Sequence, residues 1–312
     1  MRWLLRDIFS RLFTLAAVLA LTFLLLHVVP GGPFDSDRGL PPEIEANLYQ
    51  KYDLTKRGEL PFWIWVFRDS VSYAKYLSHG KLGPSLKYVD RDASDIIKEA
   101  LPASLTIGSI GFFSALMLAV LTALILTLKN STRLRLFFTA FSSLFVAMPS
   151  FLKAIGLITV FSLWLKWLPP ALWGGPSHLL MPILTLAIGP YFLMTEFLLT
   201  EMTKEQTRDY ARTARAKGLK ESVVLIKHVL RNALNPLLAL LGPIATTFVT
   251  GSFIVETVFS IPGLGRHFIL AIIDRDYFLV MGLTAVFASI LLTFNLLTDW
   301  LARKINPLQE TL

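Results

Sequence analysis

Hydrophobic positions along this chain gather into six long runs: Leu12–Val29, Leu101–Leu128, Leu136–Leu165, Leu179–Leu199, Leu234–Phe259 and Phe278–Leu301. They do not follow the short alternations of a water-soluble core. Each run is near or above the ~18 to 20 residues that a helix needs to cross ~30 Å of hydrocarbon. The pattern therefore predicts an all-α integral membrane protein with about six spanning helices. Arg2, Arg6 and Arg11 precede the first run as in a signal peptide, yet VVPGGPFDSDR offers no small-x-small cleavage site, so the run reads as a retained helix. Pro149 and Gly156 lie inside the third run and predict a kink there, with neighbouring groups satisfying the freed carbonyls.

Two polar stretches interrupt the runs. The first, between Pro30 and Ala100, is mixed in charge, contains Trp63, Trp65, Tyr73 and Tyr76, and is too polar to span. The second, DYARTARAKGLKESVVLIKHVLRNALNP from Asp209 to Pro236, is the most charged passage of the chain. The expected organisation is an N-terminal helix over 1–30, an extramembrane segment over 31–100, and a transmembrane domain over 101–305 that carries a polar loop over 201–233.

Composition agrees with this reading. The mean hydropathy is +0.58 and only 17% of residues are charged, which excludes an ordinary soluble domain. Placement of the net charge of +8 predicts orientation, because short cytoplasmic loops concentrate Lys and Arg. With the N-terminus inside, sixteen of the thirty basic residues fall on inner segments, while the short outer loops hold Lys166, Arg266 and Arg275. Both termini and the 209–236 stretch are thus expected in the cytoplasm, and the 31–100 segment on the opposite, periplasmic side. The absence of Cys excludes disulfides, thiolate nucleophiles and cysteine-ligated metals. The five His residues lack metal-ligand spacing, no phosphate loop or nucleophile elbow is present, and no basic face interleaved with aromatics suggests nucleic acid. Asp35, Asp37 and Asp53 lack calcium-loop spacing and read as solvated surface.

The 209–236 stretch divides at Gly218, a residue able to close one helix in the left-handed conformation before another begins. In the first helix Ala211, Ala214 and Gly218 form a small-residue face, and Arg208, Arg212 and Arg215 form a basic one. In the second, Leu219, Val223, Ile226, Leu230 and Leu234 form an apolar stripe leading to Pro236. Such a pair of helices serves either as a handle presented to a partner's groove or as an amphipathic loop lying on the membrane.

The handle resembles the EAA loop of ABC importer permeases. Aligned on Gly218, only Ala214, Gly218 and Leu230 match the general motif, but RTARAKGL from Arg212, then His228 and NALNP from Asn232, resemble its peptide and nickel branch. VPGGPF, LPPEIEANLYQKYDL, HGKLGPSLKY, LPASL and TGSFIVETVFSIPGLG extend the likeness along nearly the whole chain, toward oligopeptide permeases in particular. Glu196 and Leu199 depart from it, standing where relatives usually carry basic residues.

The resemblance implies a type I importer bundle, half of a translocation passage in a bacterial inner membrane. No covalent reaction is expected, no cofactor on this chain, and ATP with magnesium on partner ATPases. The implied partners are a second homologous permease, two ABC ATPases, a periplasmic peptide-binding protein, the peptide and the lipid bilayer. Tyr210, Ala211, Arg212, Ala214, Arg215, Gly218, Leu219 and His228 would couple to the ATPases. Lys153 and Glu256, charges inside apolar runs, are expected to pair or to line the passage, unless Lys153 snorkels to an interface. Pro262, Gly263 and Gly265 read as a tight turn and, by resemblance, as part of the outer gate. Dipeptides, murein peptides or nickel complexes are alternative cargoes, and secondary transport is the rival class.

Overall fold

The computed structural model describes residues 2–34, 41–56, 61–250 and 252–305, so Asp35 and Asp37 lie outside the described residues. The chain is helical: α1 (Arg2–Val28), α2 (Pro42–Lys51), α3 (Phe62–Ser78), α4 (Ala93–Lys129), α5 (Thr132–Ala147), α6 (Ser150–Leu157), α7 (Pro176–Gln206), α8 (Asp209–Ala216), α9 (Glu221–Val223), α10 (Arg231–Thr250), α11 (Ser252–Val258), α12 (Leu264–Ile273) and α13 (Tyr277–Ile305). Two π-helical segments, Ile158–Trp164 and Val224–Leu230, continue α6 and α9. Among the described residues, five stretches are long and apolar enough to cross a membrane, and the bent pair α5 with α6 makes a sixth if counted as one.

Packing supports counting the pair as one. Gly111 on α4 approaches Leu186 on α7, and Thr127 on α4 approaches Met202 on α7, so the two helices run parallel. Chain passing from α4 to α7 must therefore return across the layer through α5 and α6. Gly111, Ala115, Ala119 and Ala123 recur every four residues along α4, and the three alanines are fully buried, a small-residue face that permits close helix packing.

The third run bends far more sharply at Pro149 than the kink expected of it. Its halves meet at 107°. Pro149 imposes this, since its ring disfavours the helical conformation of the residue before it, and Met148 is extended at φ −69°, ψ 127°. Gly156 lies inside α6, away from the break. The expected turn over 260–268 is also richer than anticipated. A turn at Phe259–Gly263 is followed by the ten-residue α12, whose apolar face is buried through Leu264 and Ala271.

The structure divides into two compact units. One comprises Met1–Ala103 with Pro262–Leu292, the other Ser104–Ile261 with Thr293–Leu312. In the first, α1 and α3 are joined by buried polar groups. His27 Nε2 lies 3.2 Å from Asp69 Oδ2, its Nδ1 lies 2.8 Å from the Phe23 carbonyl, and Thr55 N–H donates to Asp69 Oδ1 at 3.0 Å. Trp65 and Tyr73 are buried, whereas Trp63 is 72% exposed. Gly83, at φ +99°, lets the backbone pass the Phe278 ring where a Cβ would come within 2.4 Å of it.

Asp276 organises the loop beyond Gly83. Its carboxylate accepts from Ser85 Oγ, from Lys87 N–H at 3.3 Å and from Leu279 N–H at 3.2 Å. The side chain is fully buried, and burial pushes the carboxyl pKa up against the pull of these donors. Asp276→Ala is expected to cost about 3 kcal/mol, because buried donors lose their acceptor. The measurement is limited trypsinolysis of the inserted protein: cleavage after Lys81, Lys87 and Arg91 should accelerate, and unchanged cleavage would show that the carboxylate does not hold the loop.

The candidate coupling elbow

The elbow begins where α7 ends. Arg208 is extended at φ −70°, ψ 151°, and α8 starts at Asp209, an acidic residue suited to the positive end of a helix dipole. The Tyr210 hydroxyl donates to Glu205, and burial followed by that bond pushes its pKa up to about 12. Ala211 is 0% and Ala214 5% exposed; α8 packs with them against the Val224–Leu230 segment. The small face expected to enter a partner's groove is therefore turned onto the chain's own helices, where only a methyl group allows such close approach.

Gly218 performs the predicted task. It sits at φ +77°, its N–H donates to the Arg215 carbonyl at 2.9 Å, and Leu219 N–H donates to the Ala214 carbonyl at 3.4 Å. These two bonds form the Schellman termination of a helix. Apart from its two chain neighbours, no described residue comes within 4 Å of the place where a Cβ would stand.

Arg215 closes the elbow. Its Nε and Nη2 donate to the Glu221 carboxylate at 2.9 and 2.8 Å, and its Nη1 donates to the Gln206 carbonyl at 3.0 Å. One guanidinium thus ties the end of α7, α8 and the start of α9, and the bond to Glu221 raises its pKa. Arg212, in contrast, is exposed, with only a loose 3.9 Å approach to Asp209. Leu219 is 41% exposed. The outer rim of the elbow is therefore Arg212, Thr213, Lys217, Gly218 and Leu219.

Beyond Gly218 the buried stripe differs from the one the sequence suggested. Leu219 and Ile226 are exposed, while Val224, Leu225, Val229, Leu230, Ala233 and Leu237 are buried. The π-helical segment explains the change, because its wider turn brings residues five apart onto one face: Val224 over Val229 and Leu225 over Leu230. His228 is half-buried and lines a cleft of about 900 Å³ together with Tyr210, Lys227, Arg231, Asn232 and Asn235; Leu116, Val120, Leu234, Leu237, Leu238 and Leu241 form its apolar walls.

The two intramembrane charges do not meet. Lys153 donates to the Phe145 carbonyl at 3.2 Å across the α5–α6 break, and Gly189 leaves room for the amine, since a Cβ there would come within 3.0 Å of Nζ. Glu256 is fully buried and accepts from Ser104 Oγ at 2.6 Å. The predicted pairing gives way to two separate sites because each charge finds a local polar partner. Gly189 carried no sequence signal and Ser104 stood out only as part of LPASL, since small residues in apolar runs look like packing. In the turn, Pro262 is exposed while Gly263 and Gly265 are buried. Gly263 caps α12 in an extended conformation at φ −104°, ψ 175°. Asp53 accepts from Ser72 Oγ at 3.0 Å.

Residues 96–310 match the family described as binding-protein-dependent transport system inner membrane component. The oligopeptide transport system permease protein OppB of Haemophilus influenzae is 34% identical over 310 residues, which cover 97% of this chain and 99% of that protein. The dipeptide transport system permease protein DppB of Bacillus subtilis is 31% identical over 306 residues, 98% of this chain and 97% of that one. Among solved structures, an amino acid ABC transporter crystallised with histidines shares the fold with a TM-score of 0.51 at 19% identity, over 68% of this chain and 94% of its own. With a helical bundle of up to six crossings and an elbow between the fourth and fifth of them, this multi-pass membrane protein belongs to the inner-membrane components of binding-protein-dependent transport systems.

Proposed function

We propose that this chain is one of two homologous permease subunits of an ATP-driven oligopeptide importer, and that its elbow is the contact through which cytoplasmic ATPases drive it. The observation that carries this reading is the construction of the elbow. A rigid corner, tied by Arg215 across three elements, presents an exposed rim around a glycine with empty space in front of it. A corner of this kind transmits displacement instead of absorbing it, and its far side continues through the π-helical segment into α10.

In this scheme both termini and the elbow face the cytoplasm, and a periplasmic peptide-binding protein delivers cargo at the opposite side. Closure of the ATPase pair, which holds ATP and magnesium, swings the elbow. The bundle then exposes its passage to each side in turn. Arg212 and Leu219 contact the ATPase, Arg215 sets the corner, and Ala211 and Ala214 seat α8 on its own subunit. Lys153 beside the α5–α6 break serves the passage, and Pro262, Gly263 and Gly265 serve the outer gate. Oligopeptides are favoured as cargo by relatives that bear that name at 32–34% identity. Dipeptides are the second reading, since dipeptide permeases match at 31%, and competition for uptake with the cognate binding protein separates the two.

Because the chain has no Cys, one introduced residue gives an unambiguous test. A Lys217→Cys protein should react with a membrane-impermeant maleimide only in inverted vesicles and should crosslink to the ATPase subunit. Labelling from the periplasmic side would overturn the orientation, and crosslinking to lipid alone would overturn the coupling.

A further inference from the structure

We propose that the cleft beside the elbow binds an anionic phospholipid of the cytoplasmic leaflet, an inference that rests on the orientation proposed above. The cleft is amphipathic along its length. Lys227, His228 and Arg231 stand with Tyr210, Asn232 and Asn235, while leucines and Val120 form the rest. Among the described residues no acidic side chain lines it, and the carboxylate behind Tyr210, Glu205, is engaged by the tyrosine hydroxyl.

Lys227 and Arg231 are exposed, and neither makes an ion pair among the described residues. The Asn232 amide already donates to the His228 carbonyl at 3.1 Å; two unpaired cations with the Asn235 amide and an imidazole suit a phosphodiester, and the leucine wall suits an acyl chain. A water-soluble anion would have no use for that wall. A basic pocket between helices at the cytoplasmic surface is a recognised form of anionic headgroup site.

Depth supports a lipid. Ten residues separate Arg231 from Leu241, about 15 Å of helix at 1.5 Å per residue. That is half of a ~30 Å hydrocarbon layer, the thickness of one leaflet. The site touches α4, α8 and the helix leading into α10 together, so an occupying lipid would brace the elbow against the bundle. Full coupling is then expected only in membranes that contain anionic lipid.

The test uses the assembled importer with its binding protein, in nanodiscs of phosphatidylcholine alone or with phosphatidylglycerol added. Peptide-stimulated ATP hydrolysis should rise with phosphatidylglycerol in the native protein. Lys227→Gln with Arg231→Gln should abolish that rise while matching the native rate in phosphatidylcholine, and Lys227→Arg with Arg231→Lys should keep it. Leu238→Trp, which fills the apolar wall without changing charge, should also abolish it. Native mass spectrometry reads binding independently of transport: the double Gln variant should retain phosphatidylglycerol on the order of tenfold less well.

Equal stimulation and equal retention in the native and double Gln proteins would overturn the proposal. So would a photocrosslinker at 234 that captures the second permease, the ATPase or peptide instead of lipid. Absence of peptide-stimulated hydrolysis in both lipids, with phosphatidylglycerol still retained through Lys227 and Arg231, would instead sink the importer reading and leave the lipid site standing.

Discussion

Gly218→Trp is expected to abolish ATP-coupled peptide uptake while the protein still inserts and folds. The residue lies at φ +77°, in the left-handed region. A side chain there costs about 1–2 kcal/mol in backbone strain, which a multi-helix bundle survives. Beyond the adjacent residues, no described neighbour stands within 4 Å of the new Cβ, so the side chain leaves the backbone into open space. Loss of function would therefore report a partner that occupies the empty space. Gly218→Asn is the control, because Asn tolerates the left-handed conformation with a small side chain. It should retain most activity, whereas the Trp variant should lose about tenfold or more, at least ~1.4 kcal/mol of coupling. The measurement is labelled-peptide uptake in proteoliposomes, set against detergent-solubilised yield. Normal uptake by the Trp variant would remove the elbow from the coupling path.

Glu256→Lys should have the second largest effect, acting on folding before transport. The carboxylate is fully buried and accepts from Ser104 at 2.6 Å. Reversing its charge leaves a buried cation facing groups arranged for an anion, at a cost of about 3–5 kcal/mol. Monodisperse protein after solubilisation should largely disappear. Glu256→Gln keeps an acceptor for the Ser104 hydroxyl and should preserve the folded yield, with a loss of about 1 kcal/mol. It also separates two roles. Reduced uptake in a well-folded Gln variant would place the charge on the passage, and native uptake would confine it to the packing of α4 on α11. A Lys variant of normal yield would contradict the burial itself.

The parts of this fold readable without coordinates were those governed by length and by local backbone chemistry. Among the described residues, five of the six apolar runs became helices long enough to cross, and the third became a bent pair that makes a sixth if counted as one, because hydrocarbon thickness sets how many residues a helix needs. Gly218 ended α8 because few other residues accept its φ. Pro149 was identified as a weak point, though its severity, a 107° break, depended on Met148 becoming extended.

What sequence periodicity missed has one cause in two places. A 3.6-residue wheel assumes a regular α-helix, and VVLIKHVL presents apolar residues on every candidate face. The π-helical turn selected Val224, Leu225, Val229 and Leu230 over Leu219 and Ile226. The small face of Ala211 and Ala214 was equally ambiguous, since small residues permit approach by a partner or by the chain itself. Only the position of the Val224–Leu230 segment decided for the latter.

By itself, then, the sequence determined the helical membrane class, the apolar runs from which the crossings form, and the elbow with its turn at Gly218, because hydrophobic length and φ preference are local properties of the chain. Tertiary structure alone decided which way the elbow's faces turn, that Lys153 and Glu256 take separate partners, and that basic and leucine side chains from distant segments enclose one cleft. Those outcomes depend on which helices run parallel and how closely their small residues let them approach, and neither quantity is encoded within any single segment.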